Sequence, residues 1–66
     1  MEEIEIWRAA KQMLDLYPGG AELAAAQRAD KALEIGDMFN FSLWTRITKA
    51  IQEIERQKPG SDEAVN

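Results

Sequence analysis

The apolar positions of this chain recur at helical spacing in three stretches, separated by the strong breakers Pro18-Gly19-Gly20, Gly36-Asp37 and Pro59-Gly60. In the first stretch Ile6, Trp7, Ala10, Met13, Leu14 and Tyr17 fall in one arc at about 100° per residue, with Glu5, Arg8, Lys11, Gln12 and Asp15 in the other. An amphipathic helix is predicted over 3–17. Pro18 disfavours helical backbone in the residue before it, and the two glycines permit a reversal. The second stretch is built from Ala21, Ala24, Ala25, Ala26, Ala29 and Ala32, joined by Leu23, Leu33 and Ile35, with Gln27, Asp30, Lys31 and Glu34 as its polar side. Its helix propensity is very high, and a helix is predicted over 20–35 with Gly36 as a left-handed cap. Alanines bury little area each but let a neighbouring backbone come close.

In the third stretch Leu43, Trp44, Ile47, Ala50, Ile51 and Ile54 occupy an arc of about 120°, opposite Thr45, Thr48, Lys49, Gln52 and Arg56. A helix is predicted over 41–57, capped by Asn40 or Ser42. With Asn40 as the cap, Phe39 and Trp44 hold the two positions of a hydrophobic staple. Short connections make sequential helices antiparallel, so the expected fold is an all-α, three-helix up-down-up bundle. It forms one domain over 1–58, followed by residues 59–66, which lack apolar periodicity and are expected to be a disordered tail. The expected core is Trp7, Leu14, Leu33, Trp44, Ile47, Ile51 and Ile54. Trp7 and Trp44 are expected beside Leu33 and Ile35 at one end, with Leu14, Tyr17, Leu23 and Ile54 closing the other.

Met38-Phe39-Asn40-Phe41 places three large apolar side chains in what this reading takes as a connection. They either cap the open end of the bundle over the two tryptophans or meet a partner. A chain this short, with an alanine-lined central helix, builds a small core, and association with a copy of itself or with another protein adds burial. The candidate partner surface is therefore Met38, Phe39 and Phe41, with Arg46 and Lys49 further along the third helix.

Composition narrows the chemistry. The 66 residues contain no Cys and no His, which removes disulfides, a thiolate nucleophile, the usual zinc ligands and the usual general base. Twelve acidic against eight basic side chains give a net charge of -4, which repels phosphate backbones and anionic lipid surfaces. The paired carboxylates, Glu2, Glu3 and Glu5, Glu53 with Glu55, and Asp62 with Glu63, lack the spacing that sets two carboxyls across a cleft. Asp30, Glu34 and Asp37 could meet on one helical side as a divalent metal site, but read more simply as solvated surface charge. Pro18-Gly19-Gly20-Ala21 follows no strand and precedes no Gly-Lys-Ser/Thr, so it is a turn and not a phosphate loop. No catalytic, cofactor, metal or small-molecule site is expected.

A short turn at Gly36-Asp37 before a helix bearing Arg46, Lys49 and Arg56 has some likeness to a helix-turn-helix DNA reader. Against it, this helix opens on Phe41-Ser42-Leu43-Trp44, Glu53 and Glu55 offset its basic charge, and the connection from Ile35 to Phe41 reads as longer than a tight turn. No stretch approaches the roughly 20 apolar residues of a membrane span, no helix pairs a strongly basic face with an apolar one, and Met1-Glu2-Glu3 is acidic where a leader would be basic. A cytoplasmic protein is expected.

The order and spacing of Trp7-Arg8-Ala9-Ala10, Arg28-Ala29-Asp30, Gly36-Asp37 and Trp44-Thr45-Arg46-Ile47 followed by Ala50-Ile51 resemble a family of short, functionally uncharacterised alphaproteobacterial proteins. The resemblance spans about residues 4 to 54. It implies a bacterial origin and a compact helical domain, and supplies no activity or site residues. Met38-Phe39-Asn40-Phe41 departs from the polar linker expected of that family. Within the shared Arg-Ala-Asp step, Arg28 lies at the edge of the apolar arc, where it can pin neighbouring helices through hydrogen bonds or serve a partner.

The expected function is that of a small non-enzymatic helical protein–protein interaction module. The alternatives are a phage- or mobile-element-type inhibitor that occludes a larger machine, and a DNA-binding regulator using the third helix. Residues 1–37 hold eight acidic and four basic side chains, whereas 38–66 hold four of each, so the third helix is the less repulsive surface.

Overall fold

The computed structural model describes residues 3–57. They form three helices, α1 (Glu3–Leu16), α2 (Ala21–Glu34) and α3 (Met38–Arg56), packed as an all-α up-down-up bundle. Among the described residues no helix is long and apolar enough to cross a membrane. The expectation of a disordered tail falls outside the described residues.

Glu3 and Glu5 lie in the first turn of α1, where carboxylates complement the positive end of the helix dipole. The helix stops at Leu16, and Tyr17 N–H still donates to the Met13 carbonyl at 2.9 Å. Gly20 N–H then donates to the Tyr17 carbonyl at 2.9 Å across a turn whose Gly19 has φ +80°, a conformation side chains with a Cβ rarely adopt.

α2 leaves through a Schellman ending: Gly36 N–H donates to Leu33 O at 3.1 Å and Asp37 N–H to Ala32 O at 2.8 Å, with Gly36 at φ +78°. Asp37 then serves twice. Its backbone closes α2 while its side chain caps α3, accepting Asn40 N–H at 3.1 Å and Asn40 Nδ2 at 2.7 Å. These bonds to the ionised form hold the Asp37 carboxyl below its ordinary value, Asn40's side chain being the larger cause and its backbone N–H the next.

That double use corrects three expectations. Neither Asn40 nor Ser42 caps α3, which begins at Met38 instead of 41. There is no staple, since the residue before the cap is Gly36. The connection is not long, and Met38-Phe39-Asn40-Phe41 is the first turn of a helix, not a loop.

The core is dominated by small side chains. Of ten buried apolar residues six are alanines, and the large ones are Ile6, Met13, Ile47 and Ile51. Ala21, Ala25, Ala29 and Ala32 form the buried stripe of α2. Gln52 Nε2 of α3 donates to the Glu22 carboxylate at 2.6 Å, tying the start of α2 to the far half of α3. Trp7, Leu14, Trp44 and Ile54 are half-buried and pack against this core.

Leu33 is not a core residue: it is 50% exposed, and Ile35 is 66% exposed. At 100° per residue Leu33 stands about 80° from Ala25, the centre of the stripe, and Leu23 about 160° away, so neither points inward. Leu23 is accordingly 64% exposed and closes no end of the bundle, and Tyr17 is also exposed.

Candidate functional site

Met38, Phe39, Ser42, Arg46 and Lys49 are all exposed and share one face of α3. Their spacing of three, four and seven residues confines them to an arc of about 100°. The strip starts from an apolar pair, with Met38 56% and Phe39 70% exposed. Leu33 and Ile35, also exposed, stand just before the tight turn. Arg46 and Lys49, one turn apart, make the middle of the strip cationic, and among the described residues neither has a carboxylate within 4.0 Å.

Four of the five expected partner-surface residues are therefore brought together. Phe41 is the exception: it is half-buried and lines a shallow groove toward α2 with Ala26, Ala29 and Thr45. Thr45 and Thr48 turn their hydroxyls back to the Phe41 and Trp44 carbonyls, each at 2.7 Å, which satisfies those groups within the helix.

Beside Lys49 the strip borders a groove of about 390 Å³ between α1 and α3. Ile6, Trp7 and Ala50 supply its apolar surface, and Arg46 and Lys49 its cationic wall. Glu3 and Glu53 also line it, but Glu53 is already engaged by Arg56 and by Gln57 Nε2, the latter at 3.0 Å. Sequence reasoning read Trp7 as core, whereas it stands half-buried over the core residues Ile6 and Ala50 at an open seam, which periodicity cannot tell from a filled one.

Charge separates this face from the rest. α3 carries three basic and two acidic side chains, whereas residues 3–37 carry four basic and seven acidic. Asp30, Glu34 and Asp37 do not assemble as ligands: Glu34 faces Lys31 at 3.8 Å and the Asp37 carboxylate is taken by Asn40. Among the described residues no three acidic side chains could hold a metal ion.

Arg28 is placed on the opposite flank of α3. Its guanidinium carbon lies 4.9 Å from the Trp44 ring centre and its Nη2 donates to the Tyr17 hydroxyl at 3.4 Å. It thereby links the end of α1, α2 and α3, the pinning role its position at the arc's edge allows.

Comparison with family models, curated proteins and solved structures finds no match.

Proposed function

We propose that this is a small non-enzymatic interaction module of the cytoplasm, which docks the outer face of α3 and its apolar turn onto a protein partner. One observation carries the reading. The fold buries alanines and leaves large apolar side chains outside, four of them, Leu33, Ile35, Met38 and Phe39, within seven residues around one turn. Dispersed apolar residues are ordinary on a surface, whereas a cluster of this kind marks a contact site. A bacterial origin, drawn from the motif resemblance, and an inhibitor that occludes a larger machine are specific forms of the same proposal.

The experiment is a pull-down from host lysate with the wild-type chain and a Met38→Ser/Phe39→Ser variant. Partners held by the wild type and lost by the variant support the reading. Retention of every partner by the variant contradicts it.

The tight Gly36-Asp37 turn favours a second reading, a DNA-binding regulator using α3, with Arg46 and Lys49 as its exposed cations. Titration into labelled duplex separates the two. Tight binding at low salt that weakens steeply as salt rises supports the regulator and counts against the module.

A further inference from the structure

The strip on α3 has a polarity that defines what fits it. We infer, on the reading of α3 as a docking face, that its partner is an acidic amphipathic helix of another protein, laid along the strip from Met38 to the groove beside Lys49. Met38 and Phe39 receive one apolar anchor of that helix. Trp7, half-buried over the core residues Ile6 and Ala50, receives the second at the groove. Met38 and Ala50 are twelve residues apart, about 18 Å along α3, so the two anchors stand roughly three turns apart on the incoming helix. Between them Arg46 and Lys49 have no carboxylate within 4.0 Å among the described residues, although Glu3 and Glu53 line the same groove, and carboxylates on the intervening turns of the partner complete them.

A second copy of the chain fits less well. An isologous contact of α3 with α3 gathers two copies of Arg46 and Lys49 into one interface, with no carboxylate among the strip residues to offset them. The exposed face of α1 interleaves Glu5 and Asp15 with Arg8 and Lys11, so it offers Arg46 and Lys49 no run of carboxylates. The acidic face of α2, with Leu23, Asp30 and Glu34, lies opposite its buried alanine stripe and away from its own α3 strip. Docking through it is head-to-tail and builds a ring or an open filament, not a two-fold dimer. Nucleic acid would meet the apolar Met38 and Phe39 at the end of α3 that would have to enter a groove.

The test uses the full chain and a synthetic, fluorescein-labelled alanine-based helix of about 18 residues, with two leucines about three turns apart and glutamates on the turns between. A second peptide replaces its glutamates with lysines. The wild type is expected to bind the acidic peptide at least about tenfold more tightly than the basic one, with the preference shrinking as salt rises. Arg46→Glu/Lys49→Glu, whose side chains are exposed and whose helicity is checked by circular dichroism, is expected to reverse that preference. Equal affinity for the two peptides, or no binding of the acidic one up to millimolar concentration, overturns the proposal, as does preferential binding of a DNA duplex.

Self-association seen by sedimentation, in rings or open-ended, and abolished by Leu23→Glu would also overturn it, in favour of a second copy. If the peptide fails while Met38→Ser/Phe39→Ser still loses its pull-down partners, the docking face stands and only its acidic partner is rejected. If the variant also keeps every partner, the docking face itself is wrong.

Discussion

The guanidinium of Arg28 stacks on the Trp44 ring at 4.9 Å and reaches the Tyr17 hydroxyl at 3.4 Å, so a single exposed side chain of α2 bridges the end of α1 and the first half of α3. The hydrogen bond is long and the stack is the stronger contact. Arg28→Ala should lower stability by about 1 kcal/mol, the scale of an exposed cation–π pair with a weak hydrogen bond added. Arg28→Lys should lower it by less, keeping the charge over the ring but not the fork that reaches Tyr17. Urea unfolding followed by circular dichroism measures both; an unchanged midpoint for Arg28→Ala contradicts the bridge.

Ile51 and Leu33 should behave as opposites although both lie at helical apolar positions. Ile51 is fully buried, and Ile51→Ala should cost about 2–5 kcal/mol, enough to unfold much of so small a domain. Leu33 is half exposed, and Leu33→Ala should stay within about 0.5 kcal/mol. Thermal melts of the two variants side by side decide it, and comparable losses would put Leu33 back in the core.

Ala25 is fully buried in the stripe that lets α2 approach its neighbours. Ala25→Leu adds volume where no space exists and should destabilise by about 1–3 kcal/mol, despite leucine's good helix propensity. A neutral or stabilising result in urea unfolding would mean that α2 packs more loosely than described.

Asp37 gives the fold an acid-sensitive joint. Its carboxyl sits below the ordinary value of 3.8 in the folded chain because Asn40 donates to the ionised form. The stability this contributes is present above the unfolded-state value and is lost as pH falls through the lower folded one. Asp37→Asn keeps a capping oxygen and should flatten that part of the pH profile, whereas Asp37→Ala should lower the melting temperature at neutral pH. Melts from pH 7 down to about pH 2 show which holds; an Asp37→Asn profile that keeps the wild-type acid slope contradicts the assignment.

The three helices were legible because the breakers Pro18-Gly19-Gly20 and Gly36-Asp37 stand between clean periodic runs. The start of α3 was not, because Asp37 is read as part of the break when it is also the cap, and because Asn40 and Ser42 are equally good capping residues a turn later. That one displacement turned a helical first turn into an apparent apolar loop and made the connection look too long. Leu33 and Leu23 misled for another reason. In an alanine-rich helix the small residues can own the buried stripe, and hydrophobicity alone then assigns the larger leucines to the wrong side. Of the candidate surface, Met38, Phe39, Arg46 and Lys49 were legible from size and charge, while Phe41 was separated from them by helical rotation that a loop reading could not include. The groove formed by Trp7, Ile6 and Ala50 depends on how α1 sits on α3, which no local pattern encodes.

The outer face of α3 is the centre of this account, and amide NMR of the ¹⁵N-labelled chain titrated with the acidic helical peptide tests it most directly. Shifts concentrated on Met38, Phe39, Ser42, Arg46, Lys49 and the Trp7 indole are predicted. Shifts concentrated instead around Leu16 and Leu23, or no shifts at saturating peptide, would contradict it.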